Sequence, residues 1–258
     1  MQNRALARLT TTEIARLDKD RIVIVQPIGA TEQHGPHLPC DTDVLIVTGL
    51  LDAVLQAIGD KTDVWVLPVL SYGKSNEHVG YPGTISLSAQ TLMSVCLDMG
   101  RAIADSGFHR LVLLNGHGGQ PQLLEMVARD IRAETGLLVF PLFPFKRRPP
   151  SEWLSSTEEA RYGIHGGELE TALVMALEPH AVRTEVLAAG GLTIRERLAY
   201  LDLDGDSPVA WLTRDLSTNG VIGDPARASQ QLGSRLVHFY VDHVAAVLRE
   251  IAQFDFAV

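Results

Sequence analysis

Short apolar runs alternate along the chain with longer segments in which apolar residues recur at helical spacing. The short runs are bounded by Gly, Pro or polar residues, and they predict strands at 22–27, 64–70, 111–114 and 137–142. The longer segments predict helices at 44–58, 89–106, 121–134 and 229–252. This alternation of strand and helix is typical of an α/β fold with a mainly parallel central sheet.

Three polar, glycine-rich segments directly follow predicted strands. Their sequences are PIGATEQHGPHLPCDTDVL (27–45), SYGKSNEHVGYPGT (71–84) and NGHGGQ (115–120). Because ligands bind beyond the carboxyl ends of parallel strands, we expect these segments to share one rim of the sheet. A fourth segment, GIHGGELETALVMAL (163–177), begins another helix, and the stretch 179–226, rich in Gly, Asp and Pro, should be irregular.

The first of these segments carries side chains that can bind a metal ion. Glu32 and His34 are two residues apart, so in an extended segment they project from the same face. Carboxylate oxygen beside imidazole nitrogen suits zinc, manganese or iron. Asp43 lies close to the start of the predicted helix, where its two carboxylate oxygens could bridge two ions. Asp41 is the alternative, and an aspartate in this place could instead cap the helix.

Further candidates lie in the other segments. His117 is surrounded by glycines that let the backbone approach a ligand closely, although a histidine in such a turn also satisfies backbone groups. Glu168 and Glu170 open the helix after HGG, where the macrodipole alone favours acidic residues. They are about 200° apart on a helix, so only one can face the site. We expect Glu168 to face inward, with Glu170 as the alternative.

These side chains suffice for a site with two metal ions. The sets share Asp43: Glu32, Asp43 and His117 for one ion, and His34, Asp43 and Glu168 for the other. Metal binding lowers the pKa of water from about 15.7 to about 7, so a hydroxide can bridge the ions while one of them polarises a carbonyl. This chemistry predicts a hydrolase. His165 is predicted to carry a proton to the departing amine.

Composition narrows the class of partner. The 258 residues are 46% hydrophobic and 21% charged, which suits one domain over 1–258. A net charge of -9 argues against nucleic acid and an anionic membrane as partners, so we expect a small-molecule substrate. The sequence has no secretory pattern or long apolar span. Two cysteines, Cys40 and Cys96, fit a reducing compartment, and the predicted location is cytoplasmic.

The chain resembles the creatininase (creatinine amidohydrolase) family. The resemblance rests on PIGATEQHGPHLPCDTD, YGKSNEHVGYPGTISLS, NGHGGQ, HGGELETALVMAL and GVIGDPARAS, which cover most of the chain in the family's order. It implies a three-layer α/β/α domain, a homo-oligomer that is often a hexamer, and metal-dependent hydrolysis of a non-peptide carbon–nitrogen bond. It also implies Glu32, His34, Asp43 and His117 as ligands.

The sequence departs from creatininase proper at two ligand positions. Creatininase has a glutamate where Gly119 stands and an apolar residue where Glu168 stands, so we interpret Glu168 as a relocated ligand. Creatininase encloses its substrate with tryptophans, whereas Trp153 alone lies in the corresponding segments. The reduced aromatic walls indicate a different or more polar substrate than creatinine. The expected class is a cyclic amide, lactam or formamide, and related family members remove a formyl group from a pyrimidine nucleotide precursor or trim a modified peptide. Ser75 and His78 resemble substrate-side positions.

Several alternatives stay open. Phe143, Phe145, Arg161 and Tyr162 are candidates for the substrate pocket, or they are packing residues. The basic residues 146–148 form either a solvated turn or an anion-recognition site. Cys40 could be a sixth ligand, although packing beside the site accounts for a small thiol. The alternative function is a metal-binding scaffold or regulatory subunit without independent turnover, which the complete ligand set disfavours.

Overall fold

The computed structural model describes residues 4–191, 194 and 198–256. Its centre is a four-stranded, all-parallel sheet in the order β2-β1-β3-β4. The strands are β1 (Val23–Ile28), β2 (Val64–Val66), β3 (Arg110–Asn115) and β4 (Leu138–Leu142). All four predicted strands are therefore present, and only β2 is clearly shorter than its apolar run. The prediction of an α/β fold with a parallel sheet is confirmed.

Helices follow the strands as the periodicity predicts. They are α1 (Thr11–Ala15), α2 (Thr42–Ile58), α3 (Ala89–Asp105), α4 (Pro121–Thr135), α5 (Thr157–Tyr162), α6 (Glu168–Leu177), α7 (Thr213–Leu216) and α8 (Gln230–Ile251). The short helices α1, α5 and α7 were not predicted, because four to six residues are too few to show a clear helical period. Side-chain caps from Ser88, Ser156 and Ser229 start α3, α5 and α8.

Two apolar cores lie on opposite faces of the sheet. Val23, Val25 and Val112 of the strands pack with α2, α6 and α8 on one face. Ile24 and Leu111, their neighbours in sequence, pack with α3 and α4 on the other. Since alternate residues of a strand point to opposite faces, both faces of the sheet are buried and the strands have continuous apolar runs. This is the three-layer α/β/α arrangement that the resemblance implies.

Helix α2 is long and apolar. Thr42–Lys61 has the length and mean hydropathy, 1.5, of a helix that could cross a membrane, but half of it is buried inside the protein. Its buried face includes Ile46, Leu50 and Val54, which belong to the core shared with α6 and α8. Packing in this core accounts for the apolar character of α2.

The stretch after α6 is irregular in its described part, as predicted. It contains short 3-10 turns at Pro179–Ala181, Thr184–Val186 and Pro225–Arg227, together with the single turn of α7. Ile222 pairs with His165 through an isolated antiparallel bridge, with both backbone N–H groups donating across it. This excursion therefore returns to the carboxyl edge of the sheet, where it covers the polar loops.

Candidate metal centre

The polar loops after β1 and β3 meet at the carboxyl edge of the sheet. Glu32, His34, Asp43 and His117 all lie there with at most 2% of their surface exposed. Gly116 lies against Asp43 and Val47 of α2 so closely that a Cβ atom would clash with both. The close approach of the His117 loop to α2 therefore depends on a glycine in this place. These four predicted residues are brought together.

Two groups of potential ligand atoms share Asp43. In the first group, His117 Nδ1 lies 3.3 Å from Glu32 Oε1 and 3.0 Å from Asp43 Oδ2. In the second, His34 Nε2 lies 3.5 Å from Asp43 Oδ1, and Glu170 completes the group. Within each group the ligand atoms lie within 4.8 Å of one another. The two oxygens of Asp43 thus face different histidines.

The structure corrects the prediction of which glutamate faces inward. Glu170 joins His34 and Asp43, and its Oε2 accepts a hydrogen bond from Gly166 N at 2.6 Å. The Glu168 carboxylate instead accepts from Ser155 N at 2.7 Å. Glu168 lies outside the metal-capable groups found among the described residues. The two carboxylates have different partners, as expected for residues two apart on a helix, but the rotation of α6 about its axis brings Glu170 and not Glu168 to the site.

Several buried polar atoms of this cluster have no hydrogen-bond partner. They are Glu32 Oε2, His34 Nε2 and Asp43 Oδ2. Because His34 Nδ1 lies 3.1 Å from the Glu32 carbonyl oxygen, it carries a hydrogen, so in the neutral imidazole the lone pair of Nε2 faces Asp43. Buried acceptors that face one another are costly unless a cation lies between them. The donor set and its unsatisfied atoms therefore fit divalent metal ions.

The electrostatics of the cluster without metal lead to the same conclusion. Burial opposes a charged His34, but the nearby Asp43 carboxylate prevails and raises the pKa of His34 to about 9. Burial likewise opposes a charged His117, yet Glu32 and Asp43 raise its pKa well above the ordinary value. The pKa of Asp43 falls because His117 and His34 outweigh the effect of burial. The carboxylates attract positive charge to this place, which protons supply when no metal is bound.

At Glu170, the effect of burial on the pKa outweighs that of the neighbouring histidine. It raises the pKa of Glu170 to about 7, against the attraction of His34, and the charge of Asp43 adds to the increase. A divalent cation would remove this cost by stabilising the ionised carboxylate.

His165 lies beside the first group. Its ring stacks on His78 with a centroid distance of 4.0 Å and lies 4.2 Å from that of His34. Nε2 lies 2.7 Å from the Gln33 carbonyl oxygen and donates to it, so the Nδ1 lone pair points toward Glu32 Oε1, 3.7 Å away. Burial, and then the charges of His78 and His34, hold the pKa of His165 well below its usual value. The imidazole is therefore neutral and faces the cluster with an acceptor.

Gln33 is a residue of the site that the sequence analysis missed. Its side-chain nitrogen lies 3.0 Å from His78 Nδ1, His165 Nε2 and the Gly220 carbonyl oxygen. It ties the first loop to the irregular excursion. The only signal in the sequence is its place between Glu32 and His34, which predicts a side chain on the opposite face and thus away from the metals.

The creatininase family model, described as creatinine amidohydrolase, matches residues 7–248. The chain belongs to the creatininase family. A mycofactocin precursor peptide peptidase from Mycobacterium ulcerans is 35% identical to it over 92% of this chain and 88% of that protein. The resemblance stated from the motifs is confirmed, and members of the family are hydrolases.

Solved creatininases share the fold. The structure named creatininase Mn has a TM-score of 0.77 and 25% identity, covering 96% of this chain and 98% of its own. A mutant creatininase of the Zn-Zn type has a TM-score of 0.76 and 26% identity, covering 95% and 96%. Manganese and zinc are thus named for relatives whose fold matches that of this protein.

A cavity of about 790 Å³ opens above the cluster. Glu32, Asp43, His117, His165 and Glu170 line its floor. Its outer wall comes from the loop after β4 and from the excursion: Phe143, Phe145, Lys146, Arg148, Asp204, Asp206, Val209 and Trp211. The cluster thus opens onto a wide space bounded by aromatic, basic and acidic side chains.

Trp153 and Trp211 differ in their position relative to the cavity. Trp153 lies apart from the lining, with its ring against Phe239 and Arg235. Trp211, in the excursion, is the tryptophan that faces the cavity, and its indole N–H donates to the Leu203 carbonyl oxygen at 2.9 Å.

The remaining candidates divide between the cavity and the rest of the protein. Lys146 and Arg148 line the cavity, whereas Arg147 lies over the Phe239 ring. Arg161 and Tyr162 contact each other and are not among the lining residues described. Cys40 is outside the metal-capable groups of the described chain, and its sulfur packs against Gly83.

Proposed function

We propose that this protein is a metal-dependent amidohydrolase that cleaves a carbon–nitrogen bond above a pair of divalent ions. Glu32, Asp43 and His117 would hold one ion, and His34, Asp43 and Glu170 the other. The observation that carries the proposal is that Glu32 Oε2, His34 Nε2 and Asp43 Oδ2 are buried without a hydrogen-bond partner, on residues that belong to the metal-capable groups. This ligand set replaces the one with Glu168, and zinc or manganese suits it best, with iron as a further candidate.

The ions would supply a hydroxide bridging them at neutral pH and a Lewis acid for the substrate carbonyl. The protein would supply the position of the substrate and the shielding of the reacting bond. A substrate in the cavity would lie over the ligands, and the excursion that lines the cavity would limit the access of water to the reacting bond.

His165 would act as the proton carrier. Its Nε2–H is held by the Gln33 carbonyl oxygen, so Nδ1 is free to accept a proton and pass it to the departing nitrogen. Because its pKa lies below the usual value, the imidazole starts neutral and gives up an accepted proton readily. Its Nδ1 also lies near Glu32 and His34, so a role as an additional ligand is the alternative.

The substrate we propose is a peptide or a peptide-derived amide. A relative that is 35% identical over 92% of the chain is named a peptide peptidase. A cavity of about 790 Å³ is also large for one flat cyclic molecule, because pockets for drug-sized ligands span about 300–1,000 Å³. The cyclic amides, lactams and formamides expected from the sequence are the second candidate class. The cytoplasmic location and the homo-oligomer stay predictions.

Metal analysis combined with a substrate panel tests this proposal. Protein loaded with zinc or manganese should contain about two ions per chain and hydrolyse at least one of a panel of short peptides, lactams, cyclic ureides and formamides. His34→Ala should lose one ion and at least 100-fold in kcat/KM while retaining its fold by circular dichroism. One ion or none, with no turnover across the panel, would instead favour a scaffold without independent activity.

A further inference from the structure

A short 3-10 turn outside the ligand set contacts two of the three side chains in the group of Glu32, Asp43 and His117. The turn is Asn76–His78, in the loop after β2. Glu77 lies against the imidazole of His117, and His78 lies against the carboxylate of Glu32. Adjacent residues of one turn thus hold two of the three side chains proposed for one ion. Nothing in the His34 and Glu170 pair is in ion-pair contact with this turn in the described structure.

Glu77 contacts the edge of the His117 ring that points away from Glu32 and Asp43. Nδ1 faces the cluster, so in the metal-bound form Nε2 carries the hydrogen. That nitrogen lies 3.0 Å from the Lys74 carbonyl oxygen and 3.3 Å from Glu77 Oε1. Only 12% of the Glu77 side chain is exposed, and Lys74 Nζ lies 3.5 Å from its other oxygen. Lys74 and Glu77 thus form a partly buried ion pair behind the ligand.

Gly119 makes room for this carboxylate. A Cβ atom at Gly119 would clash with Glu77 Oε1 and would lie 2.5 Å from His117 Nε2. The neighbouring Gly118 has nothing within 4 Å of its Cβ position. The absence of a side chain at 119 is therefore what allows Glu77 to reach the imidazole.

The contact of His78 fixes the other ligand. Its Nδ1 accepts from Thr213 Oγ1 at 2.6 Å and from the Gln33 side-chain nitrogen at 3.0 Å. With Nδ1 used as an acceptor, the hydrogen lies on Nε2, which is 3.3 Å from Glu32 Oε1. Thr213 and His78 are both at most 2% exposed. His78 Nε2–H therefore faces Glu32 Oε1, while Glu32 Oε2 has no hydrogen-bond partner.

We propose that Glu77 and His78 are positioning residues for the ion held by Glu32, Asp43 and His117. The turn fixes the tautomer and direction of the imidazole and the rotation of the carboxylate, so it sets the affinity of this ion and not that of the other. The inference rests on the proposed function, since it assumes that both ions bind. It gives Glu77 and His78 a role in holding the ligands. Both residues also line the cavity, so the substrate-side role expected for His78 stays a prediction.

The experiment measures metal affinity directly, without any substrate. Zinc is titrated into metal-free protein in the presence of a chromophoric chelator, which resolves two binding steps for the wild type. Loss of partners behind a metal ligand weakens binding by about 10- to 100-fold. In Glu77→Ala one step should therefore weaken at least 10-fold while the other changes less than 3-fold. Glu77→Gln keeps an acceptor oxygen for Nε2–H, so it should recover part of that loss.

Two control variants make the result specific. Glu125→Ala removes another glutamate of the same cavity, one that contacts Lys146 and not a histidine, and both zinc steps should be unchanged. Gly119→Ala should reproduce the loss in Glu77→Ala because the added methyl group displaces the carboxylate and crowds His117, whereas Gly118→Ala should bind zinc as the wild type does.

The second residue of the turn is tested through its own partner. Thr213→Val removes the hydroxyl that holds His78 Nδ1 but leaves His78 in place, so the same step should weaken. Two normal zinc steps in Glu77→Ala and Thr213→Val would overturn the inference and leave the proposed function intact. A wild type that binds no zinc would contradict the proposed function itself.

Discussion

Asp43 is the residue on which the pairing of the two metal sites depends. Its Oδ2 lies 3.0 Å from His117 Nδ1 and its Oδ1 lies 3.5 Å from His34 Nε2. A carboxylate can bridge in this way only when it projects from a rigid position, which the first turn of α2 supplies. Asp41, the rival in the sequence, is the residue preceding α2 and makes no capping hydrogen bond with its side chain.

The two glutamates of α6 predict different effects on the metal content of the protein. Glu170→Gln removes the charge of a proposed ligand, so bound metal should fall from about two ions to about one per chain. Glu168→Gln is the matched control, two residues away on the same helix, with its carboxylate on Ser155 N and outside the cluster. It should keep both ions. Elemental analysis of the purified variants measures this, and the reverse pattern would restore Glu168 as the ligand.

Spacing in the sequence was enough to place some residues in the site, but it could not place others. Glu32 and His34 could be placed together because residues two apart in an extended segment share a face. The choice between Glu168 and Glu170 could not be made, because it depends on the rotation of α6, which packing against α8 determines. Glu77 was missed because its role depends on the space left by Gly119, a contact across 42 residues of chain.

Among the elements, α5 has a function that its six residues do not suggest. Its Glu159 accepts hydrogen bonds from Glu168 N and Asp224 N, both at 2.7 Å. One carboxylate thus ties the start of α6 to the end of the excursion, with His165 in the loop between α5 and α6. Gly163, Gly167 and Gly223 surround it so closely that side chains there would clash with or crowd it. The segment that carries His165 is therefore held by a buried acid.

This acid predicts a pH dependence of stability. Burial raises the pKa of Glu159 to about 7, against the two N–H donors, from an ordinary value of 4.5. Between these values the folded state binds more protons than the unfolded state, so its contribution to stability is greatest below about pH 4.5 and is lost as pH rises through 7. The free energy of unfolding of the metal-free wild type, relative to metal-free Glu159→Gln, should therefore fall between pH 5 and 8 by about 1–3 kcal/mol. Urea titrations at each pH measure it, and a difference that is constant with pH would contradict it.

The contact between α6 and α8 gives a second prediction for the elements. A Cβ atom at Gly233 of α8 would clash with the Ala172 carbonyl oxygen of α6. Gly233→Ala should push the helices apart and reduce the free energy of unfolding by about 1–3 kcal/mol, as overpacking does. Ser234→Ala, at an exposed position of the same helix, should change it by less than about 0.5 kcal/mol. Equal stability of the two variants would show that the close approach is not required.

The main elements could be predicted well because their signals are local. The buried strands have continuous apolar runs and the larger helices have clear periods, so bounds such as Gln230–Ile251 were predicted within one residue. Strand β2 ends at Val66, although the apolar run continues to Leu70, because Pro68 cannot donate to the sheet. The path of the excursion was not predictable, since it follows from side chains such as Gln33 and Thr213 that join distant loops.

At the scale of the whole molecule, the site concentrates acidic groups in an acidic protein. The net charge is -9, and three carboxylates of the cluster lie close together in a poorly hydrated place. The protein without metal must neutralise them with protons, whereas two divalent ions would neutralise them directly. Metal binding should therefore stabilise the fold as well as provide the chemistry.

Removal of metal tests this coupling. A ligand that binds only the folded state at 100 times its Kd adds about 2.7 kcal/mol of stability. For a chain of this size, chelation should lower Tm by several degrees per ion, since 1 kcal/mol corresponds to about 2–4 °C. Readdition of zinc or manganese should restore it. An unchanged Tm in protein shown to have lost its metal would mean that the cluster is stable without cations.

Anomalous diffraction from crystals loaded with zinc or manganese tests the central claim most directly, because it places each ion without reference to activity. Two peaks about 3.5–4 Å apart are predicted, as in other two-metal hydrolytic sites. One peak should contact Glu32, Asp43 and His117, and the other His34, Asp43 and Glu170. A map with no peak at this cluster, or with peaks only at surface residues, would contradict the account.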